Sequence, residues 1–298
     1  MELRRVRLVV PLALALALAD EARAVDGVIE IDALRAAAGG VTPGDAPGYP
    51  VTISAPGSYV LTGDLVVQDV TAIELTTGEV SLDLNGFGIR CASTCTTGDG
   101  VFAPVQGVIV RNGYVRGMGG VGILVSQRGL LVDLDASHNG GVGVSAGVGC
   151  RARSLRAEGN GSSGISCAGV VQDSLARENA LNGIVVTHGV LARSESVSDG
   201  AAPSGIDGNG LRLSGGVAVG NVVDDAGLDG VRSQQQSLML HNVISRSASR
   251  AVFHEGFGSL ATGGNHYDDN GTNGVVCVIG ASCRRLALEL CAGSTACP

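Results

Sequence analysis

Tryptophan and lysine are both absent from this 298-residue chain, and aromatic residues make up only 3% of it. A globular core of ordinary build uses more rings; Val, Ile, Leu and Ala with Gly at turns suit stacked strands better. The shortage also removes the usual aromatic platforms for a sugar ring, leaving Phe102, Tyr114, Phe253, Phe257 and Tyr267. Excess positive charge is lacking too. Twenty basic residues, all Arg, face 28 acids, a formal net charge of −8, the opposite of what a nucleic-acid partner requires. No Cys-x-x-Cys pair occurs and no His stands at zinc-ligand spacing, which argues against zinc. Glycine is abundant, at 47 residues, but has no period of three, so collagen is excluded. With 45% apolar residues the chain is not a disordered Gly-rich tail either.

What is present begins with an export signal over residues 1–24. Arg4, Arg5 and Arg7 precede a twelve-residue apolar run at 8–19, and Ala22-Arg23-Ala24 forms an A-x-A cleavage site. The expected mature protein is secreted or periplasmic, cleaved near Ala24. No later stretch is long enough to span a bilayer. Eight cysteines fit an oxidising compartment. Cys91 and Cys95 flank a short loop and are expected to pair. Two bridges are expected among the last four, with Cys277–Cys283 and Cys291–Cys297 preferred among three pairings. Cys150 and Cys167 read as buried and free, with their pairing left open by the sequence.

The chain repeats itself about every 21 residues. A Gly followed by an aliphatic residue recurs at Gly100, Gly122, Gly143, Gly164, Gly183, Gly210, Gly230 and Gly274, with Ala251 in the remaining slot. The residue after it is aliphatic every time: Val101, Ile123, Val144, Ile165, Ile184, Leu211, Val231, Val252 and Val275. That is a core column. A polar column keeps the same phase: Asn112, Asp133, Ser154, Ser174, Ser194, Asn221, Asn242 and Asn265. Short apolar runs between the columns read as strands, and Asn-Gly or Asp-Gly before many repeats reads as left-handed corners. Three short strands and three corners in such a repeat make one coil of a parallel β-helix. Coils stack at ~4.8 Å, so the polar column becomes a ladder whose side chains satisfy corner backbone groups. The fold class is therefore an all-β, single-stranded parallel β-helix. Helix-prone EIDALRAAA (30–38) and RRLALEL (284–290) would cap its two ends. The expected layout is a cap at 25–50, the β-helix at 51–280 and a disulfide-rich cap at 281–298. Residues 198–209 form the one conspicuous insertion.

VSLDLNGFGI (80–89), GVIVRNGYVRGMGGVGI (107–123), GGVTPGDAPGYPVTISAPGSYVLTGDL (39–65) and the CAGSTACP terminus resemble right-handed parallel β-helix repeat proteins exported by bacteria, in the pectin-lyase-like superfamily. The resemblance covers nearly all the mature chain. It implies a right-handed helix, and it spans lyases, hydrolases, epimerases, tailspikes and adhesins, so fold alone assigns no chemistry.

A lyase or epimerase on an acidic polysaccharide needs a base and a cation beside the uronate carboxylate. The outward slot after each core-column residue holds Phe102, Leu124, Ser145, Ser166, Val185, Arg212, Arg232, Phe253 and Val276. Arg212 and Arg232 should stack there, with His188 one coil earlier and Glu255 one coil later, both further along the strand. His188, Arg212 and Arg232 are the candidate catalytic set. A corner stripe of Glu158, Glu178, Asp199, Asp224, Asp225, Asp268 and Asp269 offers Asp224, Asp225, Asp268 and Asp269 as candidate Ca²⁺ ligands, with no other cofactor implied. The polygalacturonase motifs NTD and RIK are missing. Gly143-Val144-Ser145-Ala146-Gly147 and Gly159-Asn160-Gly161-Ser162-Ser163-Gly164 imitate a nucleophile elbow and a dinucleotide loop, but both sit where strands, not helices, should follow. The reading this leaves first is a structural or surface protein whose partner is a polysaccharide or cell-surface glycan. The alternative is the lyase or epimerase.

Overall fold

The computed structural model describes residues 27–200, 208–255, 258–277, 282–285 and 290–291. The expected signal segment 1–24, part of the insertion at 201–207, and Cys297 lie outside the described residues. The chain winds into a right-handed parallel β-helix of about 10 turns, the hand expected when right-twisted strands cross over to parallel neighbours. All described strands join one continuous sheet wrapped into three faces. The first face starts at Val51–Ile53, Ile73–Leu75, Val101–Gln106 and Ile123–Gln127. The second starts at Ile29–Ile31, Gly57–Leu61, Val80–Asp83 and Ile109–Arg116. The third carries Leu65–Val67 and Gly88–Cys91, and later Leu175–Arg177, Glu195–Val197, Val222–Asp224 and Val243–Ser245.

The core column is in register from end to end. Val101, Ile123, Val144, Ile165, Ile184, Leu211, Val231 and Val252 are partners in successive coils, and each is at most 1% exposed. The glycine before each of them but Val252, which follows Ala251, is required by closeness rather than by a left-handed corner. A Cβ on Gly164 would lie 2.6 Å from Asn179 Nδ2 and 2.8 Å from the Gly183 carbonyl oxygen. Of these repeat glycines only Gly274 has a positive φ.

The left-handed residues stand elsewhere, and they divide the expected polar column in two. Asn112, Asp133 and Ser154 have φ of 60°, 54° and 54° and are exposed. From the next coil on, that backbone position is taken by Asp173, Arg193, Gly220, His241 and Gly264. The residue after it is the buried rung: Ser174, Ser194, Asn221, Asn242 and Asn265, each at most 4% exposed. Asn221 Oδ1 accepts the Ser194 N–H at 3.0 Å, while its Nδ2 donates to Asn242 Oδ1 at 2.9 Å and the Leu191 carbonyl at 3.1 Å. The true ladder therefore begins at Ser174; the three earlier positions supply conformation, not rungs. One residue of phase separates the two roles, and an average repeat length does not reveal it.

A second ladder runs at the following corner. Asn139, Asn160, Asn179 and Asp199 stack with at most 1% exposure. Asn160 Oδ1 accepts the Asn139 N–H and Nδ2 at 3.1 and 3.0 Å, and Asn160 Nδ2 donates to the Ala136 carbonyl and Asn179 Oδ1. Asp199 is thus an interior rung, not part of an exposed acidic stripe. Its Oδ1 takes both Asn179 donors and its Oδ2 accepts from the Ser196 hydroxyl at 2.7 Å. That hydroxyl's one hydrogen is contested by the Gly210 carbonyl at 3.0 Å.

Burial, opposed by these hydrogen bonds, raises the Asp199 carboxyl from 3.8 to about 6. A raised folded-state value means the group's stabilising contribution is complete below about pH 4 and is lost as pH rises through 6. An asparagine in this place would match its neighbours above, donate to Ser196, and free that hydroxyl for Gly210. Asp199→Asn is expected to leave stability unchanged at pH 4 and add about 2 kcal/mol above pH 6. Thermal melts from pH 4 to 8 check this; an equal gain at every pH contradicts it.

The N-terminal helix is Ala33–Ala38, capped by Asp32, which accepts the Arg35 N–H at 2.8 Å. Ala36 is fully buried against the first coil. The expected C-terminal helix is not found where the chain is described. Ser282–Arg285 pairs with Ser259–Gly263, and Leu290–Cys291 pairs with His266–Asp268. A segment this short forms a weak helix alone, whereas the open edge of the previous coil offers its described residues backbone partners.

Cys91–Cys95 and Cys277–Cys283 are bridged. Cys150 and Cys167, read as free, form a buried disulfide between adjacent coils. Their register explains it: Cys167 pairs with Ala146 and Cys150 with Gly169, so the corner between them brings the two Cα atoms to 5.8 Å.

Candidate functional site

Strand alternation turns every second residue of the first face outward. Phe102, Leu124, Ser145, Ser166, Val185, Arg212, Arg232 and Phe253 form one outward row in register. Two residues along, Thr187, Ser214, Gln234 and Glu255 form a second. The middle of the face is floored by small residues, Ser145 and Ser166. Its C-terminal end is densely polar.

Arg212 and Arg232 are direct partners across adjacent coils, as their spacing predicts. Arg232 is 5% exposed, because the next coil closes over it. Glu255 accepts from its Nε at 2.9 Å and its Nη2 at 2.5 Å. Gln234 Nε2 also donates to Glu255, and the Ser214 hydroxyl donates to Gln234 Oε1 at 3.2 Å. Phe253 lies between two guanidinium groups, with Arg232 5.2 Å and Arg250 3.5 Å from its ring centre. Arg250 is held in turn by both oxygens of buried Asp229, at 2.7 and 2.8 Å. The Arg232 hydrogen bonds hold the Glu255 carboxyl below its usual range; burial opposes them.

His188 does not join this group. It takes a left-handed turn conformation, and its Nε2 meets Gln235 Oε1 at 2.8 Å, bridging over the coil between them. Thr187 precedes it and pairs with Ser214, so its imidazole stands at the end of the face beside the corner. The two expected arginines are brought together and the expected base is not. Gln234, Asp229 and Arg250 belong to the network without being marked out by the sequence; Asp229-Gly230 and Arg250-Ala251 show there only as corner residues.

The four aspartates are also separated. Asp224 and Asp268 stand two coils apart with Ser245 between them. Asp225 and Asp269 both take left-handed turns, as does Arg246 in the intervening coil. Arg246 pairs with Asp224, and the Ser198 hydroxyl donates to Asp225 at 2.9 Å. Among the described residues no group of three His, Cys, Asp or Glu side chains could hold a metal ion. A stacked period of two coils doubles the separation, so acids that look periodic do not converge.

No protein-family model matches this chain, and no curated protein matches it in sequence. In structure it is similar to the periplasmic alginate epimerase AlgG, with a TM-score of 0.55 at 11% identity over 81% of this chain and 76% of that one. A point-mutant form of that epimerase gives 0.56 at 12% identity, over 80% and 70% of the two chains. The Agl-KA catalytic domain gives 0.51 at 10% identity, over 78% and 58%. At these identities the likeness is one of fold. No described helix is long and apolar enough to cross a membrane.

Proposed function

We propose that this is an exported β-helix protein that binds an acidic polysaccharide along its first face, in a structural or surface role. The observation that carries the reading is the fixed network of Arg212, Arg232, Gln234, Phe253 and Glu255 at the end of a small-residue floor. Such a face accepts an extended chain lying along the helix axis, with guanidinium and amide groups set for carboxylates and hydroxyls. The structural likeness to a periplasmic alginate epimerase supports both the polysaccharide and the export.

Binding is favoured over turnover by the state of the network. Glu255 is ionised, and both its oxygens accept hydrogen bonds from Arg232 and Gln234. His188 faces Gln235 at the corner. Proton abstraction needs a base within hydrogen-bond reach of the sugar, and neither group meets that need on this face.

The test is calorimetric titration of the protein with alginate, pectate and a neutral glucan. Binding to an acidic polymer, weakened about tenfold or more by Arg212→Ala, with no new unsaturated ends and no change at C5 by NMR, is the expected result. Unsaturated products or inverted uronates would establish the lyase or epimerase reading instead.

A further inference from the structure

The second face carries an outward surface that neither the repeat nor the first-face site explains. Its outward row reads Ile109, Leu130, Arg151, Val170, Val190, Val217 and Leu238, partners in seven successive coils. The row beside it reads Arg111, Val132, Arg153, Gln172, Ala192, Val219 and Leu240. A solvated sheet face normally alternates apolar inside with polar outside. Here the inward residues are apolar too: Val110, Leu131, Ala152, Val171, Leu191, Ala218 and Met239 are all buried. The outward aliphatics of the first row, exposed at Leu130 and half-buried elsewhere, therefore face solvent along a row about 30 Å long at the ~4.8 Å spacing of coils, interrupted at Arg151.

The second and third of these seven coils are basic. Arg128, Arg151 and Arg153 are exposed. Many described arginines have carboxylate partners, among them Arg111, Arg116, Arg156, Arg177, Arg193, Arg232, Arg246 and Arg250. Arg128, Arg151 and Arg153 form no such ion pair among the described residues. Asp173, which feels the charge of Arg153, is held on both oxygens by Arg193. Arg151 and Arg153 share a depression of about 390 Å³ with Leu130, Val132, Val170 and Gln172. Val148, on the corner below Arg128, is 70% exposed, and Leu130 is 37% exposed. In a chain of net charge −8, cations without an ion pair coincide with the long apolar face.

We infer that this face docks the protein on an anionic lipid surface. Guanidinium groups around Arg151 would engage acidic headgroups, and the aliphatics on either side would lie at the interface beneath them. Charge complementarity favours lipid over a second copy, which would set the same arginines against each other or against aliphatics. Size agrees. A stripe about 30 Å by 10 Å offers roughly 300 Å², below the roughly 800 Å² per partner of a stable protein interface. A soluble polyanion would use the arginines but not the aliphatics.

The experiment is co-sedimentation of the purified protein with vesicles of phosphatidylcholine and phosphatidylglycerol in equal parts, and with phosphatidylcholine alone. The protein is expected to pellet with the mixed vesicles and to remain in solution with the neutral ones. Arg151→Gln with Arg153→Gln should weaken binding about 25-fold, roughly fivefold per arginine. Val190→Asp, two coils from Arg151 along the stripe, should also weaken it. Both changes are on the surface, and unchanged melting temperatures confirm the fold. Equal pelleting of the arginine variant overturns the inference. So does binding to soluble alginate through Arg151 and Arg153 without vesicle binding, or loss of exposure by self-association in sedimentation velocity. First-face binding, read with Arg212→Ala, is independent of each outcome.

Discussion

Asn160→Leu is expected to lower stability by about 4 kcal/mol, and Asp225→Ala to leave it within about 0.5 kcal/mol of the parent. Asn160 stands in the middle of the second ladder with 1% exposure. Removing its amide takes the Asn160 partner from the Asn139 N–H and the Ala136 carbonyl and leaves Asn139 Nδ2 with the Val115 carbonyl alone. Each unpaired buried group costs ~1–3 kcal/mol, and a leucine methyl cannot replace any of them. Nearby water does not help, because Gly143 and Gly164 bring neighbouring backbone against the same corner. Asp225 is the matched control: it is exposed and, among the described residues, accepts a side-chain hydrogen bond from the Ser198 hydroxyl alone. Thermal melting of the two variants by circular dichroism decides the matter. If they melt together, the ladder is not what holds the corner.

Cys150→Ala with Cys167→Ala is expected to cost about 3 kcal/mol. The bridge closes a loop of sequence separation 17, for which the loss of unfolded-chain freedom is of that order. It also ties one coil to the next inside the stack, where Cys150 and Cys167 are 1% and 2% exposed. Reductant should therefore reach the bridge slowly while the protein is folded. Cys91–Cys95 closes a separation of 4 at the surface and is expected to contribute less. A double Cys150/Cys167 variant that melts with the parent would assign the bridge no stabilising role.

Much of the architecture was legible because stacking converts sequence period into contact. Val144 and Ile165 are partners because the Gly-aliphatic step recurs, and Arg212 and Arg232 stack for the same reason. The outward slot of the first face follows from strand alternation. Corners were less legible. Ser154 and Ser174 look equivalent by spacing, yet one is an exposed left-handed residue and the other a buried rung. The Asn139–Asn160–Asn179 ladder has the same period, but Met118 precedes it and Ala226 follows Asp199 in the same corner position, so the column does not look polar throughout. Its signal was Asn followed by Gly at residues 139–140 and 160–161.

The candidate site divides in the same way. Strand positions brought Arg212, Arg232 and Glu255 to one face. What those side chains do depended on coils that arrive later in the chain: Phe253 and Glu255 cover Arg232, and Asp229 fixes Arg250. His188 went to Gln235, two coils on, because a left-handed turn redirects it.

Sequence alone determined the coil, its core column and the faces on which residues lie, since those follow from periods of two and about 21 that every repeat restates. Tertiary structure decided which corner residues are buried, that Cys150 meets Cys167, which charges are already paired, and that the second face sets aliphatics outward beside arginines that form no ion pair among the described residues. Those outcomes depend on single-residue phase and on which neighbour closes over which side chain, and neither quantity is carried by a repeat average.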